Sequence, residues 1–258
     1  PNRRRCRPNR PVAAALVARF RAARRDPSRV VLEGFHAVKH ALRFHAAIET
    51  VLSPDPPAVA ALAAELAPDV AVPLTGALVR CERSLFDQLA PTPPETGVLA
   101  IAARPAWDET AARPDRPLVV LDAPRHLGNL GAAVRVAAAA DAAGVVVVGE
   151  VDPWHPTAVR GAAGLQFALP CRRVDAVTAL TRPLIGFDAA GAPAADVDPA
   201  GAFVFGSERY GLRPATRGAV DRLVALPMRP GVSSLNLATA VAAALYGLAP
   251  PVTPPRGA

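Results

Sequence analysis

The sequence predicts an α/β protein built of two units, the second of which contains a mostly parallel sheet with helices on both faces. Short apolar runs alternate with segments of helical periodicity along most of the 258 residues. The run Leu118–Leu121 is apolar at every position, as in a parallel strand that is buried on both faces. A segment rich in Pro, Ala and charged residues, 105–117, lacks periodicity and indicates a linker between the units.

Periodicity divides the first unit into short elements. A basic helix is expected over residues 12–25, ahead of the unit itself. The predicted strands cover residues 30–32, 48–52, 70–74 and 97–102. The predicted helices cover residues 35–46 and 58–66, with a further helix near 84–89.

The second unit continues this alternation. Its predicted strands cover residues 118–121, 145–148, 184–187, 203–205 and 223–226, with another near Phe167. Two helices are predicted over residues 130–143 and 156–163. In a last helix, Leu237, Val241, Leu245 and Leu248 recur at helical spacing, and Ser233 or Ser234 is the expected N-cap. Neither the dinucleotide-binding glycine pattern nor a P-loop is present.

The composition excludes several classes of protein. Apolar residues make up 51% of the chain, enough for a sizeable core, yet no apolar run is as long as a membrane-spanning helix requires. The short apolar run near the N-terminus has no signal-peptide cleavage site after it. Three scattered cysteines argue against a disulfide framework or a zinc site, and the five histidines form no metal-ligand pattern. We therefore expect a cytoplasmic protein with no metal and no membrane partner.

Positive charge is concentrated at the N-terminus. The formal net charge is +7, and ten arginines stand before Val30 against the single acid Asp26. Such a segment is typical either of a disordered basic tail or of an arm that binds phosphate groups. For residues 3–10 both interpretations stay open. For the later arginines we favour phosphate binding, and these are Arg19, Arg21, Arg24, Arg25 and Arg29.

Residues 202–248 carry the clearest indication of a ligand site. The strand 203–205 ends at Gly206, and the strand 223–226 ends at Pro227, so that each meets a loop containing Gly or Pro. The last helix begins beside them. In open α/β sheets ligands bind at the carboxyl ends of strands, and helix N-termini offer free N–H groups. From these residues alone the chemistry of the ligand is unspecified.

Three motifs in the second unit resemble those of the SpoU (TrmH-like) RNA 2′-O-ribose methyltransferases of the SPOUT superfamily. The first has Asp122, then N-L-G-A-A-V-R at 129–135; the second is G-S-E-R-Y-G-L at 206–212; the third is L-P-M at 226–228 with S-L-N at 234–236. The resemblance implies S-adenosylmethionine as cofactor and rRNA or tRNA as substrate. It implies in-line attack of a ribose hydroxyl on the methyl group, without a metal or a covalent enzyme intermediate. It further implies a deep trefoil knot and a homodimer whose active site takes an arginine from the partner subunit.

The first unit also resembles this family. Glu33-Gly34 and Thr96-Gly97-Val98 look like parts of its substrate-binding domain, which is similar to a small RNA-binding ribosomal protein. The implied organisation is a basic N-terminal extension, an RNA-binding domain, a linker, a methyltransferase domain and a C-terminal tail, at residues 1–29, 30–104, 105–117, 118–249 and 250–258. On this view the five later arginines contact RNA.

The resemblance also assigns the site. The implied catalytic residues are Asn129, Arg135, Glu208, Ser234 and Asn236, and the implied cofactor-binding residues are Gly206, Leu226, Met228 and Leu235. Arg135 lies in a predicted helix of Ala and Val, where it needs a partner or a path to solvent, and Glu208 is expected to hold it or a substrate group. Because a guanidinium almost never loses its proton, we favour a positioning role for Arg135 over base catalysis. Asn129 and Ser234 would equally serve as helix caps.

The chain departs from the family pattern at three places. Leu127 stands where proline is common, His155 where serine is usual, and Arg209-Tyr210 where glycine is commoner. The last departure can change the loop geometry or its RNA contacts. Two alternatives to ribose methylation stay open from the sequence: methylation of a base nitrogen, and a non-catalytic RNA-binding factor.

Overall fold

A computed structural model describes residues 10–107, 113–249 and 251–252 of the chain. The chain divides into two compact units, one ending at Pro105 and the other beginning at Ala106. The division falls at the start of the predicted linker. The basic stretch 3–9, linker residues 108–112 and most of the predicted C-terminal tail lie outside the described residues.

Among the described residues, the first unit contains a four-stranded sheet and five helices. The strands are β1 (Arg29–Glu33), β2 (Ile48–Ser53), β3 (Leu78–Arg80) and β4 (Leu99–Ala103). They lie in the order β1-β4-β2-β3, with β4 antiparallel to both of its neighbours and β2 parallel to β3. The helices are α1 (Arg10–Ala23), α2 (Phe35–Arg43), α3 (Pro56–Leu66), α4 (Pro68–Ala77) and α5 (Arg83–Leu89).

The strand predicted over residues 70–74 is wrong, because this segment lies in helix α4. Val70, Val72 and Leu74 alternate in sequence as in a strand. In the structure Val70 and Leu74 are buried, whereas Val72 is 82% exposed. The buried pair therefore has the i, i+4 spacing of a helix face. Pro68 stands in the first turn, where its fixed φ suits a helix, and the strand follows only at Leu78–Arg80.

Helix α1 belongs to the core of the first unit. Phe20 and Ala23 are buried in the same apolar cluster as Val31, Leu99 and Ile101. The helix predicted over residues 12–25 is therefore present. It packs into the domain that follows, across the boundary that was predicted between residues 29 and 30. Removing α1 would expose this cluster to water, at a cost of several kcal/mol for a buried aromatic side chain alone.

The second unit contains a six-stranded sheet that is parallel throughout. Its strands are β5 (Leu118–Asp122), β6 (Gly144–Val148), β7 (Cys171–Val174), β8 (Leu184–Pro193), β9 (Ala202–Phe205) and β10 (Arg222–Ala225). Their order is β10-β8-β9-β5-β6-β7, and every neighbouring pair is parallel, which confirms the predicted parallel α/β class. The α-helices within the described residues are α6 (Leu127–Ala139), α7 (Pro156–Gly161), α8 (Pro214–Ala219) and α9 (Leu237–Leu248). In the part of the chain that the structure describes, no helix has both the length and the apolarity to cross a membrane.

The strand predicted near Phe167 is also wrong. Residues Leu165–Phe167 form a turn of 3-10 helix, and the strand begins later, at Cys171. The ring of Phe167 packs edge-on against Trp154, with 5.1 Å between the ring centroids. Gly164, with a φ of +77°, reverses the chain just before this turn. Phe167 therefore makes a local packing contact and is not part of the sheet.

Strand β8 is longer than predicted and changes partners along its length. Its first residues pair with β9, and Ile185 and Gly186 lie opposite Arg222 and Leu223 of β10. The register with β10 then jumps, so that Val224 lies opposite Ala192. A Cβ atom on Gly191 would lie 2.5 Å from the carbonyl carbon of Val224. The extension of β8 therefore depends on a glycine that lets two backbones approach closely.

Helices α6 and α7 also approach closely through a glycine. A Cβ atom on Gly131 would lie 2.4 Å from the carbonyl oxygen of Ala158 and 2.8 Å from the amide nitrogen of Ala162. At the start of α7, Nδ1 of His155 accepts a hydrogen bond from the N–H of Thr157 at 3.2 Å. The histidine that replaces the usual serine therefore keeps a helix-capping role.

We predict that Gly131→Ala lowers the free energy of unfolding by roughly 1–3 kcal/mol, the range for overpacking a tight interior contact. The obstructing atoms are backbone and cannot rotate away. Gly128→Ala is the matched control, because nothing lies within 4 Å of the added Cβ in the same helix. Replacing a helical glycine with alanine there is expected to be neutral or to stabilise by up to about 1 kcal/mol. Equal urea midpoints for the two variants would contradict this account.

Candidate active site

A tight loop follows strand β9 and carries the second motif. Ser207 and Gly211 exchange two backbone hydrogen bonds of 3.0 Å. A Cβ atom on Gly206 would lie 2.0 Å from the carbonyl carbon of Gly211 and 2.2 Å from the amide nitrogen of Leu212. Gly211 itself has a φ of +65°. The close contact with Gly211 and Leu212 therefore requires a glycine at position 206.

A chain of hydrogen bonds that starts at the carboxylate of Glu208 connects the three motifs. Nδ2 of Asn129 donates a hydrogen bond to Oε1 of Glu208 at 2.8 Å, and the backbone N–H of Arg125 donates to Oε2 at 3.3 Å. Nδ2 of Asn236 donates to Oδ1 of Asn129 at 3.1 Å. Oδ1 of Asn236 accepts from the N–H of Ala238 at 3.0 Å, which caps helix α9. We call Asn129, Glu208 and Asn236 the motif triad.

Glu208 is stabilised as a carboxylate. Partial burial raises the pKa of Glu208, but the hydrogen bonds from Asn129 and from the Arg125 backbone, together with the nearby His126, outweigh this effect. The pKa therefore lies below the usual value of 4.5. Because the carboxylate only accepts, it fixes which end of the Asn129 amide faces it, and the amide oxygen is left to face Asn236.

Glu208 was expected to hold either Arg135 or a substrate group, and the structure does not bring Arg135 to it. Both Glu208 oxygens are bonded to other groups, as given above, and Arg135 is exposed on α6 and does not line the pocket. Arg135 lies six positions after Asn129 on the same helix, so the directions of their side chains differ by about 120° around the helix axis. Glu208 therefore orients Asn129 instead.

None of the residues that were expected to cap helices α6 and α9 does so in the structure. Helix α6 begins at Leu127, so Asn129 lies within its first turn and bonds to Glu208 rather than capping the helix. Helix α9 is capped by Asn236, not by Ser233 or Ser234. Both serines instead line the pocket described next.

A pocket of about 380 Å³ lies between the second motif and the third. All four residues that were assigned to the cofactor, together with the expected catalytic residues Glu208 and Ser234, contribute to its lining; the four are Gly206, Leu226, Met228 and Leu235. Further lining comes from Phe187 and Asp188 of β8. The structure thus places these predicted residues around one cavity.

An aromatic pair gives the pocket one apolar side. Phe187 stacks on Phe205 with 4.6 Å between ring centroids and 10° between ring planes. Both rings belong to residues that line the cavity. Asp188, the next residue along β8, forms an ion pair with Arg217 of helix α8. The cavity therefore combines a flat apolar surface with carboxylate groups.

Asp122 ties the second motif to the sheet. It ends strand β5, and its side chain is fully buried. Its Oδ2 accepts from the backbone N–H of Arg213 at 2.7 Å, and its Oδ1 accepts from Nε of the same residue at 2.7 Å. Arg213 directly follows Leu212, at the end of the loop that carries Glu208. This ion pair therefore holds one end of the motif loop against the carboxyl end of β5.

Sequence reasoning missed several residues of the site. Asp122 opened the first motif but received no role, and Arg213, Phe187 and Asp188 were not considered. An acid directly after an apolar strand is a usable signal, because such a carboxylate lies at the sheet edge where ligands bind. No sequence signal pairs Asp122 with Arg213, which lies 91 residues away.

The five arginines that were predicted to contact RNA divide into two groups. Nη2 of Arg24 lies 3.0 Å from Oε1 of Glu33, whose side chain is 2% exposed, so this arginine neutralises a buried acid. Arg29 and Arg19 both pair with Glu49, at 2.7 and 3.2 Å.

The other two arginines of this set are Arg21 and Arg25. Both are exposed, and within the described residues neither side chain has an ion-pair or hydrogen-bond partner. RNA contact stays a prediction for the whole set, and these two are the members best placed for it.

Comparisons with known proteins agree with the motifs. The family model described as the SpoU rRNA Methylase family matches residues 116–246, half of the chain. The chain belongs to this family. A 23S rRNA (uridine(2479)-2′-O)-methyltransferase of Streptomyces viridochromogenes is 33% identical over 172 residues, covering 60% of this chain and 59% of that protein. The 23S rRNA (guanosine-2′-O-)-methyltransferase RlmB of Acinetobacter baylyi is 32% identical over 202 residues, covering 69% and 80%.

Solved SpoU structures share the fold over nearly the whole chain. The SpoU methyltransferase AviRb of Streptomyces viridochromogenes, in complex with the cofactor AdoMet, superposes with a TM-score of 0.69 and 28% identity. The match covers 93% of this chain and 96% of AviRb. It therefore extends over more of the chain than the family model does.

We predict that Glu208→Gln lowers the free energy of unfolding by about 1 kcal/mol at neutral pH, less than the roughly 1.5–3 kcal/mol of a hydrogen bond to a charged group, because the site is partly exposed. A glutamine offers one acceptor oxygen to two donors. Since the folded pKa of Glu208 is lowered, its stabilising effect is complete above pH 4.5 and is lost as pH falls through the lower folded value. Urea titrations of both proteins from neutral to acid pH check this. A stability difference that grows on acidification would contradict it.

We predict that Arg21→Ala with Arg25→Ala flattens the plot of log RNA affinity against log salt by about 1.5, since each phosphate contact contributes roughly 0.7 to 0.9. The matched control is Arg43→Ala with Arg83→Ala, which removes the same charge from arginines already paired with Asp69 and Asp87. Truncating the whole basic segment is a poorer test because Phe20 is in the core. Equal slopes for the two double variants would show that residues 21 and 25 do not contact RNA.

Proposed function

We propose that this SpoU family member is an S-adenosylmethionine-dependent methyltransferase that acts on a ribose 2′-hydroxyl of RNA. The observation that carries the proposal is the motif triad, which joins three separate sequence motifs beside one pocket. The relatives named as 23S rRNA 2′-O-methyltransferases support ribosomal RNA as the substrate. The AdoMet complex of AviRb supports the cofactor.

The chemistry of the pocket fits this cofactor. S-adenosylmethionine supplies a methyl group on a positively charged sulfonium, activated for transfer to a nucleophile. The apolar side chains of Leu226 and Leu235, with the stacked pair Phe187 and Phe205, suit an adenine ring. Two carboxylate residues in the lining, one of them Glu208, suit a ligand with cationic groups. Gly206 and Met228 offer backbone groups at the same cavity.

The motif triad would orient the substrate end of this pocket. Glu208 fixes the amide of Asn129, and Asn129 in turn fixes the amide of Asn236, so each polar group is set before a substrate arrives. Ser234 lines the cavity and has a hydroxyl free to donate or accept. Groups positioned in advance lower a barrier mainly by orientation and by stabilising charge that develops in the transition state.

Arg135 would serve the pocket of a second subunit. It is exposed, it points about 120° away from Asn129 on the same helix, and it does not line its own pocket. A guanidinium that remains charged can stabilise the oxygen of the ribose or hold a phosphate, but it cannot remove a proton. We therefore infer a homodimer in which each active site combines one subunit's pocket with the partner's arginine.

The same proposal includes three features that the family resemblance implies. These are a deep trefoil knot in the second unit, an RNA-binding role for the first unit and a cytoplasmic location. The superposition on AviRb over nearly the whole chain supports a shared fold for both units. Both units of this chain are then parts of one enzyme.

Labelled methyl transfer to RNA, followed by nuclease and alkaline digestion, tests the reaction. We expect label in a nucleoside whose 3′ linkage resists alkali, because a 2′-O-methyl group blocks the hydroxyl that attacks the phosphate. Label in an alkali-sensitive nucleoside would indicate base methylation. RNA binding without label would indicate a non-catalytic factor.

We predict that Arg135→Ala lowers methyl transfer by about a hundredfold or more, the scale for losing one charge-stabilising group. Calorimetric S-adenosylmethionine binding should be nearly unchanged, since Arg135 does not line the pocket. Arg135→Lys should also be poor, because an ammonium cannot reproduce the planar fork of a guanidinium.

Mixing the Arg135→Ala protein with a pocket variant, Leu235→Asp, tests the shared site. Each variant alone should be inactive, and mixed dimers should regain activity because one of their two sites is intact. If the mixture stays inactive while both chains exchange subunits, Arg135 acts within its own subunit or is structural.

A further inference from the structure

An exposed tyrosine with two arginines lies beside the pocket. Tyr210 is 65% exposed in the loop of the second motif. The guanidinium carbon of Arg125 lies 5.0 Å from the centre of its ring, and that of Arg209 lies 5.4 Å from it. Both distances are within the range of a cation–π contact. We call these three residues the Tyr210 platform.

Within the described residues the two arginines form no ion pair, whereas many other arginines of the chain do. Glu208 lies next to both segments, but its oxygens accept from Asn129 and from the backbone of Arg125. The platform therefore exposes an aromatic face beside two guanidinium groups that can donate to a phosphate.

The platform is held in position by the site itself. The backbone N–H of Arg125 donates to Glu208, and Tyr210 lies between Arg209 and Gly211, both of which line the pocket. The N–H of Tyr210 also donates to Oγ of Ser207 at 3.4 Å. The two chain segments that form the platform are thus joined through the carboxylate that orients the motif triad. A ligand on the platform would lie directly beside the pocket.

We propose that the Tyr210 platform binds an unpaired nucleotide of the RNA substrate, with the base on the tyrosine ring and a phosphate between the two arginines. This inference rests on the proposed function, and it identifies single-stranded RNA as the form of substrate at the site. Aromatic side chains bind unpaired bases by stacking, and arginines beside them neutralise the backbone. A base in a regular duplex cannot offer its face in this way.

The test is fluorescence titration with a short single-stranded RNA in which 2-aminopurine replaces several adenines. Wild type and Tyr210→Phe should bind and change the probe's emission, because both have the ring. Tyr210→Ala should bind between about 5- and 150-fold more weakly and lose most of the emission change, the range for removing one stacked base. Arg125→Gln and Arg209→Gln should each flatten the salt dependence by about 0.7.

Tyr246→Ala is the matched control, since Tyr246 is the second tyrosine of the chain and is also 65% exposed. It should leave RNA binding unchanged. The inference is overturned if Tyr210→Ala binds like wild type, or if both tyrosine variants lose affinity equally. It is also overturned if Tyr210→Ala loses affinity together with a change in sedimentation, because Tyr210 would then lie between copies of the chain.

The same titration separates this inference from the proposed function. S-adenosylmethionine binding should be equal in wild type and in the tyrosine variants, because neither Tyr210 nor Tyr246 lines the pocket. If wild type shows no methyl transfer but the ring-dependent emission change persists, the enzyme proposal fails and the platform stands. If wild type methylates RNA and the Tyr210→Ala protein does so with unchanged affinity, the platform fails and the enzyme proposal stands.

Discussion

The structure of the site depends on one half-buried carboxylate. Glu208 accepts from Asn129 of the first motif and from the backbone of Arg125, and through Asn129 it is linked to Asn236 of the third motif. A charged acceptor makes these bonds stronger than neutral ones and allows only donors to face it. The N–H of Ala238 fixes the amide of Asn236 from the other end of the set. The carboxylate and this helix cap therefore agree on one orientation for both amides, and the carboxylate also holds the Arg125 segment of the Tyr210 platform.

Close backbone contacts supply the rigidity that this arrangement needs. Gly206 lets the motif loop close on itself, Gly131 lets helix α6 meet α7, and Gly191 lets β8 reach β10. In each case the atom that would clash with a side chain is backbone, which cannot move aside as a side-chain terminus can. The ion pair of Asp122 with Arg213 then anchors the far end of the loop on the central sheet. The site is consequently built from fixed elements, as orientation-based catalysis requires.

Arginine serves three different purposes in this chain, and the surroundings of each residue decide which. Arg24 and Arg213 neutralise buried acids and are structural. Arg21, Arg25, Arg125 and Arg209 lack acidic partners within the described residues and leave net positive charge on the surface. Arg135 is exposed on a helix of small apolar residues, and its proposed role is in the active site of a second subunit. The net charge of +7 therefore does not show how unevenly positive charge without an acidic partner is distributed along the chain.

The sequence by itself determined the α/β class, the parallel second sheet and the family, because apolar periodicity and short motifs are local properties of the chain. It also predicted four residues that line one pocket, Gly206, Leu226, Met228 and Leu235, since the loops after parallel strands lie at the same edge of a sheet. It could not show that Val70–Leu74 is helical, because alternation and i, i+4 spacing coincide in so short a segment. It could not pair Glu208 with Asn129 in place of Arg135, or Asp122 with Arg213. Those choices depend on the direction in which each side chain leaves its helix or loop, and only the packing of distant segments decides that direction.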